Sequence, residues 1–115
     1  MEIMNLTPHE VSIVDEDGNV IVKIAPSGVV ARARQTDEIV GEVVVDGQTV
    51  TLVESVFGEV EGLPEPAEGV AFIVSFITVS AARAHGRSTA DLLTTSGPVR
   101  DAEGRIIGCR ALARN

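Results

Sequence analysis

The sequence predicts an α+β fold: a largely antiparallel β-sheet, or a partly open barrel of hairpins, carrying one α-helix and a short helical turn. Three observations lead there. Turn signals of the Asp-Gly and Glu-Gly kind separate β-branched runs. One alanine-rich stretch runs up to a glycine. The 115 residues include three aromatics, all Phe, so the core is built of Val, Ile, Leu and Ala.

Each element follows from local chemistry. Asp15-Glu16-Asp17-Gly18-Asn19 divides Val11–Val14 from Val20–Ile24. Asp46-Gly47 divides Glu42–Val45 from Gln48–Val53, and Ala102-Glu103-Gly104 divides Pro98–Asp101 from Arg105–Leu112. Glycine accepts the positive φ that tight hairpin turns need, so three hairpins are expected. Alternation puts Val20, Val22 and Ile24 on one face, and Arg32 with Arg34 on one face of Val29–Arg34. Pro26-Ser27-Gly28 reads as a turn between these segments. The stretch Gly62–Gly69, with two prolines, is a loop. Val70–Phe76 is a continuous apolar run, as in a strand buried on both faces. Ile77–Ala84 has helical composition, and the helix ends near Gly86, a natural residue just past a helix C-terminus. Ser88-Thr89-Ala90-Asp91 resembles a capping box, which predicts a helical turn over Thr89–Leu93.

Length and charge bound the function. At this size the chain is expected to be one domain, 1–115. Its single cysteine excludes an internal disulfide framework. Val70–Ala82, the longest apolar stretch, falls short of the roughly 20 residues that span a bilayer. No cationic segment leads into a hydrophobic N-terminal stretch, so the expected location is cytoplasmic. The net charge is −8, which argues against nucleic acid and anionic membranes as partners. The charge is uneven. Residues 1–70 hold 14 acids and 3 bases, whereas residues 71–115 hold 3 acids and six bases, all arginine. Guanidinium forks suit bidentate recognition of small anions.

Several residues could carry chemistry. Arg83, His85, Arg87 and Ser88 lie together near a predicted helix N-terminus and could hold a phosphate or carboxylate; equally, they could be the solvated last turn of a helix. His9, in Asn5-Leu6-Thr7-Pro8-His9-Glu10, could rim a pocket, or the segment could anchor the N-terminus through Asn5 and Thr7. Arg100 and Arg105 complete the expected anion-binding set. Cys109 sits in an apolar strand and reads as buried and structural. Asp15, Asp17 and Asn19 resemble the start of a calcium loop but lack its continuation, and a hairpin turn fits better. Glu59, Glu61, Glu65 and Glu68 form an acidic stretch that reads as solvating charge. Metal-ligand spacing, a nucleophile–base pair and phosphate-binding glycine motifs are all absent from the sequence, so neither enzyme nor cofactor is expected.

Asn5–His9, Phe57–Pro66, Phe72–Ser75 and Val99–Cys109 carry the motifs NLTPH, GLPEP and VRDAEGRIIGC. On these, nearly the whole chain resembles a family of small bacterial and phage proteins. The resemblance implies a small acidic protein and brings no catalytic residue or substrate with it. Unrelated phage proteins of this size sequester nucleotide signals and block host immunity. By that analogy the first expectation is a non-enzymatic, anti-defence binder of a small anionic, nucleotide-derived ligand, using His9, Arg83, His85, Arg87, Ser88, Arg100 and Arg105. A second is an interaction or inhibitor module that docks on a basic partner through the acidic residues 37–68, so that charge reversal at Glu59, Glu61 and Glu65 would abolish capture. A third is a small phage structural or accessory protein. A core so poor in aromatics leaves edges and apolar surface to cover, which predicts a homo-oligomer.

Overall fold

A computed structural model describes residues 1–115. Eight strands and one helix follow in order: β1 (Glu2–Asn5), β2 (Val11–Val14), β3 (Val20–Ile24), β4 (Arg32–Val45), β5 (Gln48–Glu61), β6 (Val70–Ile73), α1 (Phe76–Ala84), β7 (Leu92–Arg100) and β8 (Ile106–Arg114). Six strands form an open sheet in the order β1-β6-β7-β8-β2-β3, while β4 and β5 pair only with each other. The α+β, β-rich architecture is as expected, and the sheet does not roll into a barrel. Parallel pairs join β1 to β6, β6 to β7 and β2 to β8; the three hairpins are antiparallel.

All three hairpins form at their predicted turns. Asp46 and Gly47 both adopt positive φ, 48° and 79°, which matches the right-handed twist of the flanking strands. The other two turns share one construction. In Asp15–Asn19 the Asp15 carboxylate accepts the N–H groups of Asp17 (3.0 Å) and Asn19 (2.9 Å). In Asp101–Arg105 the Asp101 carboxylate accepts those of Glu103 (2.9 Å) and Arg105 (3.0 Å). The carboxylate of Asp15 is thereby committed to its own backbone, as the hairpin reading requires.

Three boundaries differ from expectation. The run Val70–Phe76 leaves the sheet after Ile73, because Ser75 turns away to cap α1: its Oγ accepts the Thr78 N–H at 3.2 Å. The helix therefore starts at Phe76 and stops at Ala84. Gly86 (φ 81°) follows as predicted, with Gly86 N–H on the Arg83 carbonyl and Arg87 N–H on the Ala82 carbonyl. The helical turn over Thr89–Leu93 does not form. A single β-turn takes its place, closed by Leu92 N–H on the Thr89 carbonyl at 3.0 Å, after which Leu92 enters β7. The pull is tertiary: Leu92 and Leu93 pair beside Phe72 and Ile73.

The core has two sides, because adjacent residues of a strand face opposite ways. On one side α1 covers Phe72, Val74, Leu92, Leu6 and Ala31 with Val79 and Ala82. On the other, Val11, Ile73 and Cys109 gather with Ile13, Ile24, Leu93 and Leu112. Cys109 is buried, as expected.

The β4–β5 hairpin departs most from expectation. It is not a short turn of the sheet but a ribbon of two 14-residue strands. Its base lies on α1, where His85 Nε2 donates to the Phe57 carbonyl at 3.0 Å. Val60 and Leu63 also pack on the core there. The rest leaves the body. The molecule measures 53 × 39 × 21 Å with a radius of gyration of 17.5 Å, where a compact chain of this length would have about 13 Å.

Candidate functional site

The NLTPH segment forms a buried clamp. Asn5 closes β1 and is 1% exposed. Its Oδ1 accepts from Thr7 N–H (3.0 Å) and Thr7 Oγ1 (2.7 Å). Its Nδ2 donates to the carbonyls of His9 (2.7 Å) and Ile24 (3.0 Å). One side chain thus ties β1 to the entry of β2 and the end of β3. The anchoring alternative describes this segment well. The His9 side chain is exposed and also lines an open cleft of about 830 Å³, with Thr7, Glu10, Ser75, Pro98 and Ile107.

The expected anion-binding set falls into separate places. Arg83, His85, Arg87 and Ser88 stand at the C-terminal end of α1 and just beyond it. Arg100 and Arg105 stand at the far tip of the β7–β8 hairpin. The length of β7, about 26 Å at a strand's usual rise, lies between the two groups. None of the four arginines lines the cleft that holds His9.

Most of these side chains already have protein partners. Arg87 grips Asp91 through two bonds, Nη1–Oδ1 2.8 Å and Nη2–Oδ2 3.0 Å, and donates to the carbonyls of Ser88 (2.7 Å) and Pro64 (2.8 Å). It pins the proline loop to the start of β7. Arg105 pairs with Asp101 (3.2 Å) and with Glu103. Arg100 donates to the Gly104 carbonyl at 2.8 Å, bracing its own turn. Arg83 meets only Thr89 Oγ1, at 3.4 Å. His85 holds the ribbon base, as described.

The Arg87 hydrogen bonds hold the Asp91 carboxyl below the usual carboxylate range, against an opposing effect of burial. Sign follows from linkage. A carboxyl with a lowered folded value stabilises fully above its unfolded value, near pH 4, and the contribution is lost as pH falls through the folded value. Asp91→Asn is therefore expected to lower the thermal midpoint at pH 7. The gap to the parent protein should narrow as pH falls below the ordinary carboxylate value. Thermal melts from pH 7 to pH 2 check this, and a gap that persists unchanged in acid would contradict it.

Sequence reasoning named residues 37–68 as an acidic docking face but missed the aliphatic surface of the β4–β5 arm. Nine of its aliphatic side chains are exposed, from Val56 at 38% to Ile39 at 75%. The register sorts them. Val43, Val45, Val50, Leu52 and Val56 share one face, with Val40 bulging beside Gly41. Ile39, Val44 and Val53 lie on the other, among Asp37 and Glu42. Between Gln35 and Phe57 stand Asp37, Glu38, Glu42, Asp46 and Glu54, and no basic residue. Glu38 sits directly opposite Glu54, a like-charge pair that weakens a ladder. At the arm base Arg32 and Arg34 face Glu59 and Glu61 across a depression of about 550 Å³. The available signal was the absence of proline from residue 27 to residue 63, which leaves nothing to stop a long hairpin.

No group of three His, Cys, Asp or Glu side chains gathers to hold a metal ion. No helix is long and apolar enough to cross a membrane. No protein-family model, curated protein or solved structure matches the chain.

Proposed function

We propose that this is a non-enzymatic, cytoplasmic protein-binding module whose working element is the β4–β5 arm. One observation carries the reading: a two-stranded ribbon bares nine aliphatic side chains to solvent, together with five unpaired acids. A lone two-stranded hairpin is marginally stable in water, and exposed apolar patches of this kind mark interaction surfaces. The acidic face of residues 37–68, expected to dock on a basic partner, is on this reading flanked by the arm's exposed aliphatic side chains. The expected role as a binder of a small nucleotide-derived anion has weaker support. Arg87 and Arg105 are neutralised by Asp91, Asp101 and Glu103, which leaves Arg83 and Arg100 as the members of the set without an acidic partner.

Affinity capture from lysate of the producing cells tests the two against each other. The parent protein is expected to retain a protein partner, either a second copy or another chain. Leu52→Glu should lose that partner, and Arg83→Ala should keep it. Retention by Leu52→Glu equal to the parent would overturn the reading. A small anion released from the parent but not from Arg83→Ala would restore the anion role in its place.

A further inference from the structure

We infer that the arm takes a third strand from a partner protein along the outer edge of β5, and that this strand is basic where it passes Glu54. The inference rests on the arm being the interaction element. Edge geometry and charge together carry it.

A two-stranded ribbon has two outer edges, and in this chain neither meets another strand. The two are not alike. β4 carries Val40 as an extra residue between Ile39 and Gly41, which breaks the spacing of its outer N–H and carbonyl groups. It also carries Asp37, Glu38 and Glu42. Bulges and charges are among the devices that guard a strand edge. β5 is guarded far less. Gln48 to Phe57 keep unbroken register, with no proline, no lysine and a single acid, Glu54. Thr49, Val50, Thr51, Val53 and Val56 are β-branched, the type that favours strands. A lone pair of strands is marginal and a third brings independent stability, so a strand added on β5 completes what the chain leaves at two. Main-chain bonds along such an edge give affinity, and the side chains beside it give specificity.

Charge selects the occupant. Glu54 stands opposite Glu38, and neither carboxylate enters an ion pair. No basic residue lies between Gln35 and Phe57 to offset them. A Lys or Arg on the added strand, set beside Glu54, would do so. Leu52 and Val56 flank Glu54 on the same face, 45% and 38% exposed. They call for aliphatic residues two positions either side of the basic one. Thr51, Val53 and Ser55 face the other way and suit Thr or Ser on the partner. The partner segment is therefore extended and reads apolar–x–basic–x–apolar. Another arm of this chain offers no base and would bring further acids to the same place.

The probe is a capped synthetic nonapeptide that alternates valine and threonine and has lysine at its centre. A twin with glutamate at the centre is the control. Both are titrated into the isotope-labelled protein and followed by amide NMR and hydrogen exchange. The lysine peptide is expected to bind several-fold more tightly than its twin, as an opposite-charge contact replaces a like-charge one across the strands. Alternate amides of residues 49–56 should become protected, because only outward N–H groups gain a partner. Glu54→Lys, which faces Glu38, should fold and reverse the preference between the peptides. Glu16→Lys, the same change of charge at the β2–β3 turn, should bind as the parent does. Equal binding of the two peptides would overturn the inference, as would protection that falls on β4 or outside the arm. Protection of the β5 amides before any peptide is added, rising with protein concentration, would give the edge to a second copy instead. A parent that binds neither peptide at about 1 mM would also overturn it. If Leu52 still captured a protein, that result would sink the third strand alone; loss of both would sink the arm as interaction element too.

Discussion

Replacing Asn5 with alanine is expected to lower the thermal midpoint by about 10–15 °C. The side chain is 1% exposed and makes four hydrogen bonds. Alanine would remove the partner of the Ile24 carbonyl and of the Thr7 N–H, whereas the Thr7 hydroxyl and the His9 carbonyl keep each other at 3.0 Å. A buried polar group left unpaired costs about 1–3 kcal/mol. Two such groups, with the two further bonds lost beside them, bring the total to about 3 kcal/mol. A domain of this size loses about 4 °C per kcal/mol. Asn5→Asp should do no better, because it keeps the acceptor, loses both donors and buries a charge. Thr7→Val should cost about 1 kcal/mol, since the Thr7 N–H bond survives. Melts followed by circular dichroism check the series, and an Asn5→Ala midpoint within about 2 °C of the parent would contradict the clamp.

Gly62→Ala is expected to be at least as damaging, by a different route. Gly62 ends the arm and turns the chain toward the proline loop with φ 79°. A Cβ there would stand 2.4 Å from the Val30 carbonyl oxygen, and backbone cannot swing aside as a side-chain tip can. Positive φ alone costs a non-glycine residue of order 1 kcal/mol, and the clash forces Val30 and Ala31 outward. Ala31 belongs to the core under α1 and bonds back to Leu6 (N–H to O 2.9 Å). We expect a loss of about 3 kcal/mol or more, and a looser arm base. Gly47→Ala at the arm tip is the control. Its φ is the same, but nothing lies within 4 Å, so about 1 kcal/mol is expected. Equal losses at the two sites would show that the Val30 contact plays no part.

The features legible in the sequence are those set by neighbours in the chain. Asp-Gly turns, the end of the helix near Gly86 and the burial of Cys109 each follow from local chemistry. The Asn5–Thr7 anchor was legible as one of two alternatives, because both residue types bond backbone. The helical turn after Ser88 was not legible. Its capping pattern is real, with Ala90 N–H on Ser88 Oγ at 3.3 Å, but pairing beside Phe72 draws Leu92 into strand. The length of the arm left no periodic mark, because both its faces meet solvent and neither needs to be apolar alone. The Val40 bulge further shifts the alternation. Arginine counts misled for a geometric reason. Arg87, Arg100 and Arg105 find their partners within four residues, at Asp91, Gly104 and Asp101, and so need not converge.

The role of the arm is tested most directly by amide hydrogen exchange over residues 38–54. A bare two-stranded ribbon opens readily, so its ladder amides should exchange fast unless something covers it. With lysate of the producing cells added to the parent protein, protection close to that of β7 and β8 is expected, and Leu52→Glu should abolish it while leaving β7 and β8 protected. Arm amides that exchange freely in the parent, at every concentration and with lysate of the producing cells added, would contradict the assignment of the arm as the interaction surface.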